Sequence, residues 1–116
     1  IDTGPGFKND KAREGWNKYA IKSAEKYENR DRKGIGNAAR GMLTQKDDRI
    51  INSLPNISAP TLIVVGEDDK PFLSAAEYMH NKILNSKKII IPKAGHAVNT
   101  DQPKLFNSAV LEFLET

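Results

Sequence analysis

The feature that most constrains this chain is the run Thr61-Leu-Ile-Val-Val65, bracketed by Pro60 and Gly66. Every residue in it is apolar or β-branched, and no polar residue alternates with them. A strand with one face in water alternates; an unbroken run suits a strand buried on both faces, as in a parallel sheet covered by helices. A parallel sheet in turn demands a crossover connection to the next strand.

The residues that follow supply those parts. Phe72, Ala75, Ala76, Met79 and Ile83 fall on one face of a helix over 72–84. Asn85-Ser86 reads as a turn. Lys87–Ile91 reads as a second short strand, centred on three isoleucines and ended by Pro92. Pro103 sits where the first turn of a last helix tolerates proline, and Leu105, Phe106, Ala109, Val110, Phe113 and Leu114 give that helix an apolar stripe. The expected architecture of 57–116 is therefore α/β, in the order β-α-β-α, with two parallel strands joined by a right-handed crossover. Two strands cannot bury a core by themselves, and an open apolar edge seeks a partner. The pattern implies further strands, supplied upstream or by another copy.

Residues 1–56 read differently, as a helical segment too polar for a core of its own. Asp2-Thr-Gly-Pro-Gly-Phe7 is turn material, and Asn9 or Asp10 can cap the helix that follows. Over Lys11–Tyr27, Trp16, Tyr19, Ala20, Ser23 and Tyr27 recur at helical steps opposite a charged face. Asp31–Gly36 breaks the pattern, a weaker helix is expected over Asn37–Gln45, and Asp47–Ser53 reads as a turn. Leu54–Pro60 links the two parts.

Charge is uneven. Residues 1–50 carry 12 Lys and Arg against 8 Asp and Glu, while residues 51–116 carry 6 against 7. A basic half raises the question of nucleic acid. However, acids are interspersed among the bases, and Lys18, Lys22 and Lys26 repeat at the spacing of a solvated helix face. No aromatic RNA-binding motif accompanies them, so no nucleic-acid partner is expected. No apolar run reaches the length of a membrane span, and no membrane partner is expected either. The absence of cysteine excludes disulfides, thiolate metal sites and a cysteine nucleophile in these residues. No metal-ligand cluster stands out, and Gly34-Ile-Gly36 has no strand before it to make a phosphate loop. No cofactor is expected, and a cytoplasmic location is the default for such a composition.

The chemistry gathers at two strand ends. Gly66-Glu67-Asp68-Asp69 follows the first strand, and Pro92-Lys93-Ala94-Gly95-His96 follows the second. In open α/β sheets, functional groups collect beyond the carboxyl ends of the strands. Adjacent parallel strands would bring a carboxylate and an imidazole together although they lie 27 positions apart. An acid that orients a histidine is the supporting pair of nucleophilic catalysis. Asp69 has a competing use as the N-cap of the helix that follows. His96 could be a plain turn residue, and His80 reads as a surface residue.

These stretches resemble the α/β-hydrolase family. Pro60-Thr-Leu-Ile-Val-Val-Gly-Glu-Asp-Asp69 is similar to the family's strand and acid turn. Ile89-Ile-Ile-Pro-Lys-Ala-Gly-His96 is similar to its last strand and histidine turn. Ala97-Val-Asn-Thr-Asp-Gln-Pro103 and Phe106 through Leu114 are similar to the approach to the closing helix and to that helix. The resemblance implies Asp69 as the catalytic acid, with Asp68 or Glu67 as fallback, and His96 as the catalytic base. It implies that 1–56 is a helical cap or lid, with Trp16, Phe7 or Tyr19 lining a substrate pocket, although aromatics on such a stripe serve packing first.

A Gly-x-Ser-x-Gly nucleophile elbow appears nowhere in the sequence. The family's order is nucleophile, acid, histidine, so the resemblance places the nucleophile upstream of Ile1. The opening, without Met, reads as a segment of a longer protein. What is expected is the C-terminal part of a hydrolase acting on an ester or related bond of a small-molecule substrate, inactive by itself. The rival reading is a non-catalytic truncated module that self-associates through its open sheet edge.

Overall fold

In the computed structural model, which describes residues 8–28 and 33–116, the chain divides into two compact units, Ile1–Ile51 and Asn52–Thr116. The first unit pairs helix α1 (Asp10–Glu28) with α2 (Lys33–Leu43). Asn9 caps α1, its Oδ1 accepting the N–H of Ala12 at 2.9 Å. Ala20 and Ala24 are buried, so small side chains, not aromatics, form the centre of the buried stripe. Tyr19, expected on that stripe, is 63% exposed.

The far end of α2 is held by side chains of α1. Trp16 Nε1 donates to Leu43 O at 2.7 Å. Asn17 takes both backbone groups of Gln45, donating to its O and accepting from its N–H, each at 2.7 Å. Orphan groups at a helix end need such partners, which explains why α2 stops at Leu43 and not at Gln45. The expected break at Asp31–Gly36 lies partly outside the described residues. Where it is described it is corrected, since residues 33–36 are already helical. Packing of α2 against α1 outweighs the cost of about 1 kcal/mol per helical glycine. The expected turn at Asp47–Ser53 contains a short helix, α3 (Arg49–Ser53). Asp47 starts it by accepting the backbone N–H of Arg49 at 3.0 Å. That bond is the main reason the Asp47 carboxyl sits below its ordinary range.

In the second unit a 3₁₀ turn, Leu54–Asn56, leads to strand β1 (Thr61–Gly66), helix α4 (Lys70–Lys82), strand β2 (Ser86–Ile91), the short helix α5 (Val98–Asp101) and helix α6 (Pro103–Glu115). The strands pair in parallel, from Thr61 opposite Ser86 to Gly66 opposite Ile91. Both faces are covered, as the unalternating run implied. On one, Ile63, Val65 and Ala76 are buried, with Phe72, Leu73 and Met79 of α4 packed on them. On the other, Ile91, Ala94 and Val98 are buried against Val64, Ile89 and Phe106. Ile83, just past α4, is fully buried. In α6, Ala109 is buried, but Leu105 and Leu114 of the expected stripe are exposed.

His80 differs from its expected role. It is half-buried, and its Nδ1 lies 2.9 Å from Ser86 Oγ. That hydroxyl donates to Ile83 O at 2.7 Å, so the imidazole ties the end of α4 to the start of β2. No helix among the described residues is long and apolar enough to cross a membrane.

An exposed ion pair joins α6 to β2. Lys87 Nζ donates to Glu112 Oε1 at 2.7 Å. The hydrogen bond from Lys87, then its charge, holds the Glu112 carboxyl below its ordinary 4.5. A carboxyl depressed in the folded state stabilises above its unfolded value and loses that contribution as pH falls through the folded one. Glu112→Gln should therefore lower the melting temperature slightly at pH 7. The difference should vanish in acid below the carboxylate range and shrink in high salt, because exposed pairs are weak and screened. Melting curves of the two proteins across pH 2–7 check this.

Candidate active site

The parallel register sends the loops after β1 and β2 out of the same sheet edge, and backbone hydrogen bonds join them. Glu67 N donates to Ile91 O and Asp68 N to Ala94 O, both at 2.9 Å. The turn after β1 closes with Asp69 N donating to Gly66 O at 3.1 Å. This joining places the Asp69 and His96 side chains in contact, with Oδ2 2.8 Å from Nδ1. A carboxylate accepts and does not donate. Nδ1 therefore carries the proton, and the neutral ring keeps its lone pair on Nε2.

Asp69 occupies the N-cap position of α4, yet its side chain makes no capping bond. Pro71 in the first turn has no N–H to cap, and the carboxylate turns to the imidazole instead. The Asp69 side chain is 11% exposed, whereas that of His96 is 74% exposed. The acid is sheltered and the ring opens outward. Phe72, rooted in the core cluster with Ile63 and Val65, sets its ring 4.7 Å from the imidazole at a tilt of 44°. Such tilted contacts contribute about 0.5–1.5 kcal/mol. The imidazole thus has a hydrogen bond at one nitrogen and an aromatic support beneath it.

The two fallback acids are used differently. The Glu67 carboxylate accepts the N–H of Lys93 at 3.3 Å, and Asp68 is exposed. Trp16 and Tyr19 lie in the first unit, where their rings stand 5.6 Å apart at 33°, and the Trp16 indole N–H is committed to Leu43. Phe7 lies outside the described residues.

The residues that hold the histidine turn carry no mark in the sequence. Lys93 has a φ of 54°, a left-handed conformation that costs a non-glycine residue about 1–2 kcal/mol. Its carbonyl accepts from Gln102 Nε2 at 3.2 Å. Gly95 N–H donates to Asp101 Oδ2 at 2.8 Å. Asp101 and Gln102 stand in the run between His96 and Pro103 that carried the resemblance, but no period or motif signalled their partners.

Relatives of this chain are enzymes by name. A Bacillus subtilis protein provisionally named 2-succinyl-6-hydroxy-2,4-cyclohexadiene-1-carboxylate synthase is 34% identical over 97 residues, 84% of this chain and 35% of that protein. The proline iminopeptidase of Thermoplasma volcanium is 32% identical over 105 residues, 88% of this chain and 36% of that protein. Among solved structures, MenH from S. aureus superposes with a TM-score of 0.66 at 25% identity, covering 91% of this chain and 45% of that one. The chain spans about a third of the length of the curated relatives it matches. No protein-family model matches it.

Proposed function

We propose that this chain, which belongs to the α/β-hydrolase family, supplies the acid and the histidine of a nucleophile–His–acid triad. The observation that carries the proposal is the 2.8 Å contact between Asp69 and His96 at the carboxyl ends of adjacent parallel strands. Asp69 holds the ring in the Nδ1–H tautomer and steadies the imidazolium that forms. Nε2, on the open side of the ring, takes a proton and returns it. Positioned general bases of this kind contribute about 10²–10⁴-fold.

In this reading the nucleophile and the oxyanion donors lie upstream of Ile1. With a serine nucleophile, His96 would deprotonate the hydroxyl as it attacks an acyl carbon, then protonate the leaving group. With an aspartate, His96 would activate the water that opens the covalent intermediate. The helical segment 1–56 is read as the cap. Trp16 and Tyr19 are then candidates for substrate contact from that cap, with Phe7 beside them in the sequence reading. The bond attacked is proposed to be an ester or related bond of a small molecule, and the relatives' names, which span more than one reaction type, narrow it no further.

A fluorophosphonate probe tests the proposal with a serine nucleophile. Treated with the probe and digested, the complete protein should carry the adduct on a serine upstream of Ile1 and on none of the six serines of this chain. His96→Ala should slow labelling by about 10²-fold or more. Labelling of Ser74 or another serine within this chain, at a rate indifferent to His96, would overturn the reading.

A further inference from the structure

The turn that delivers His96 does not hold itself. It passes through the left-handed Lys93, and residues from outside the turn take up its backbone polar groups. Glu67 accepts the N–H of Lys93 at 3.3 Å, Gln102 donates to the carbonyl of Lys93 at 3.2 Å, and Asp68 N donates to the carbonyl of Ala94 at 2.9 Å. The fourth contact is the one nearest His96 in the chain. Asp101 Oδ2 accepts the N–H of Gly95, the peptide immediately before His96, at 2.8 Å. It is the shortest of the side-chain bonds to the backbone of this turn, 2.8 Å against 3.3 Å for the other carboxylate, Glu67, and 3.2 Å for Gln102.

Asp101 is itself anchored. Its N–H donates to Ala97 O at 2.9 Å as part of α5. Val98, at the start of α5, is buried with Ile91 and Ala94. The bond from Gly95 to Asp101 therefore closes a loop around His96 and fastens it to the core beneath the second strand. The ring itself is held by Asp69 and Phe72.

From this geometry we infer that Asp101 is a positioning residue for His96. It touches neither the imidazole nor any reacting atom. It fixes the peptide from which the imidazole projects, so that Nδ1 meets Asp69 and Nε2 faces the nucleophile. The inference rests on the role proposed for His96. Misplacing a catalytic group by about 1 Å costs on the order of 10²-fold in rate, and a defect in placing His96 should fall on kcat and not on KM.

The test uses the complete enzyme with Asp101→Ala and Asp101→Asn, an ester substrate, and ¹⁵N NMR of the His96 ring nitrogens. Asp101→Ala should lower kcat by about 10–100-fold, leave KM within about threefold, and shift His96 from the Nδ1–H tautomer to a mixture. Asp101→Asn keeps an acceptor oxygen, and it should retain most of the rate and the parent tautomer. Parent-like kcat and tautomer in Asp101→Ala would overturn the inference. So would a folded Asn variant that loses about tenfold or more in kcat together with the parent tautomer, and this outcome decides the matter should the Ala protein fail to fold. Asp69→Asn separates this inference from the reading beneath it. If Asp69→Asn leaves the His96 nitrogens unchanged, the acid–histidine pair itself has failed. If it shifts them while Asp101→Ala does not, only the role of Asp101 has failed.

Discussion

Replacing His96 with alanine should lower kcat of the complete enzyme by about 10⁴–10⁶-fold while KM changes only a few-fold. The loss is large because the nucleophile then has no base and the leaving group no acid, and no second imidazole stands near among the described residues. His80 is occupied elsewhere, paired with Ser86. Asp69→Asn should cost about 10⁴-fold, since an amide in place of the carboxylate favours the wrong tautomer at a 2.8 Å contact. The double variant should be no slower than His96→Ala alone, because the two side chains act as one unit and their losses do not add. Asp68→Asn is the control. Its side chain is exposed, and its contact with the histidine turn is made by its backbone, so its rate should stay near that of the parent. Steady-state kinetics on an ester give the ranking directly. A rate in His96→Ala within tenfold of the parent, or an Asp68→Asn protein slower than Asp69→Asn, would dismantle the assignment.

The second unit was legible because its signals are local and redundant. An unalternating strand, a stop at Gly66, a helical stripe and a second strand each point to one topology, and parallel pairing then places Asp69 near His96 without any knowledge of side-chain geometry. Choosing Asp69 over Asp68 and Glu67 needed the family resemblance, since three acids in a row carry no internal order. The first unit was less legible because its packing is made by small residues. Ala20 and Ala24 carry little hydropathy signal, so the periodicity puts the larger Tyr19 on the buried stripe although it is mostly exposed. Gly34 and Gly36 read as a break because propensity is a local measure, whereas the far end of α2 is held by the side chains of Trp16 and Asn17 from another helix. The supports of the histidine turn were invisible for the same reason. Glu67, Asp101 and Gln102 act through single side-chain bonds to backbone groups, and such bonds leave no period in the sequence.

Gly66→Ala should destabilise the chain by about 3 kcal/mol or more, a shift of more than 10²-fold in the folding equilibrium. The reason is room and not backbone conformation, since no glycine among the described residues has a positive φ. A Cβ at position 66 would lie 2.3 Å from Ala94 O, 2.3 Å from Gly95 O and 2.7 Å from Ala94 C. All three are backbone atoms of the histidine turn, which cannot swing aside as a side-chain tip would. That turn is also held by Asp68 N at Ala94 O and by Asp101 at Gly95 N. An added methyl must therefore push the turn away from β1, breaking those bonds or separating Asp69 from His96. A glycine inside a strand commonly marks such a close approach of backbone to backbone. Gly95→Ala is the discriminating comparison. Its Cβ would meet only the Asp101 carboxylate, at 3.4 Å, and a side chain can give by a few tenths of an ångström. Its cost should stay below about 1 kcal/mol. Urea unfolding of the two variants side by side measures both. Equal destabilisation would mean that the closeness of β1 to the histidine turn is not what Gly66 secures. The expected order would make Gly66 the residue that lets the acid-bearing strand and the histidine-bearing turn come close enough to share a hydrogen bond.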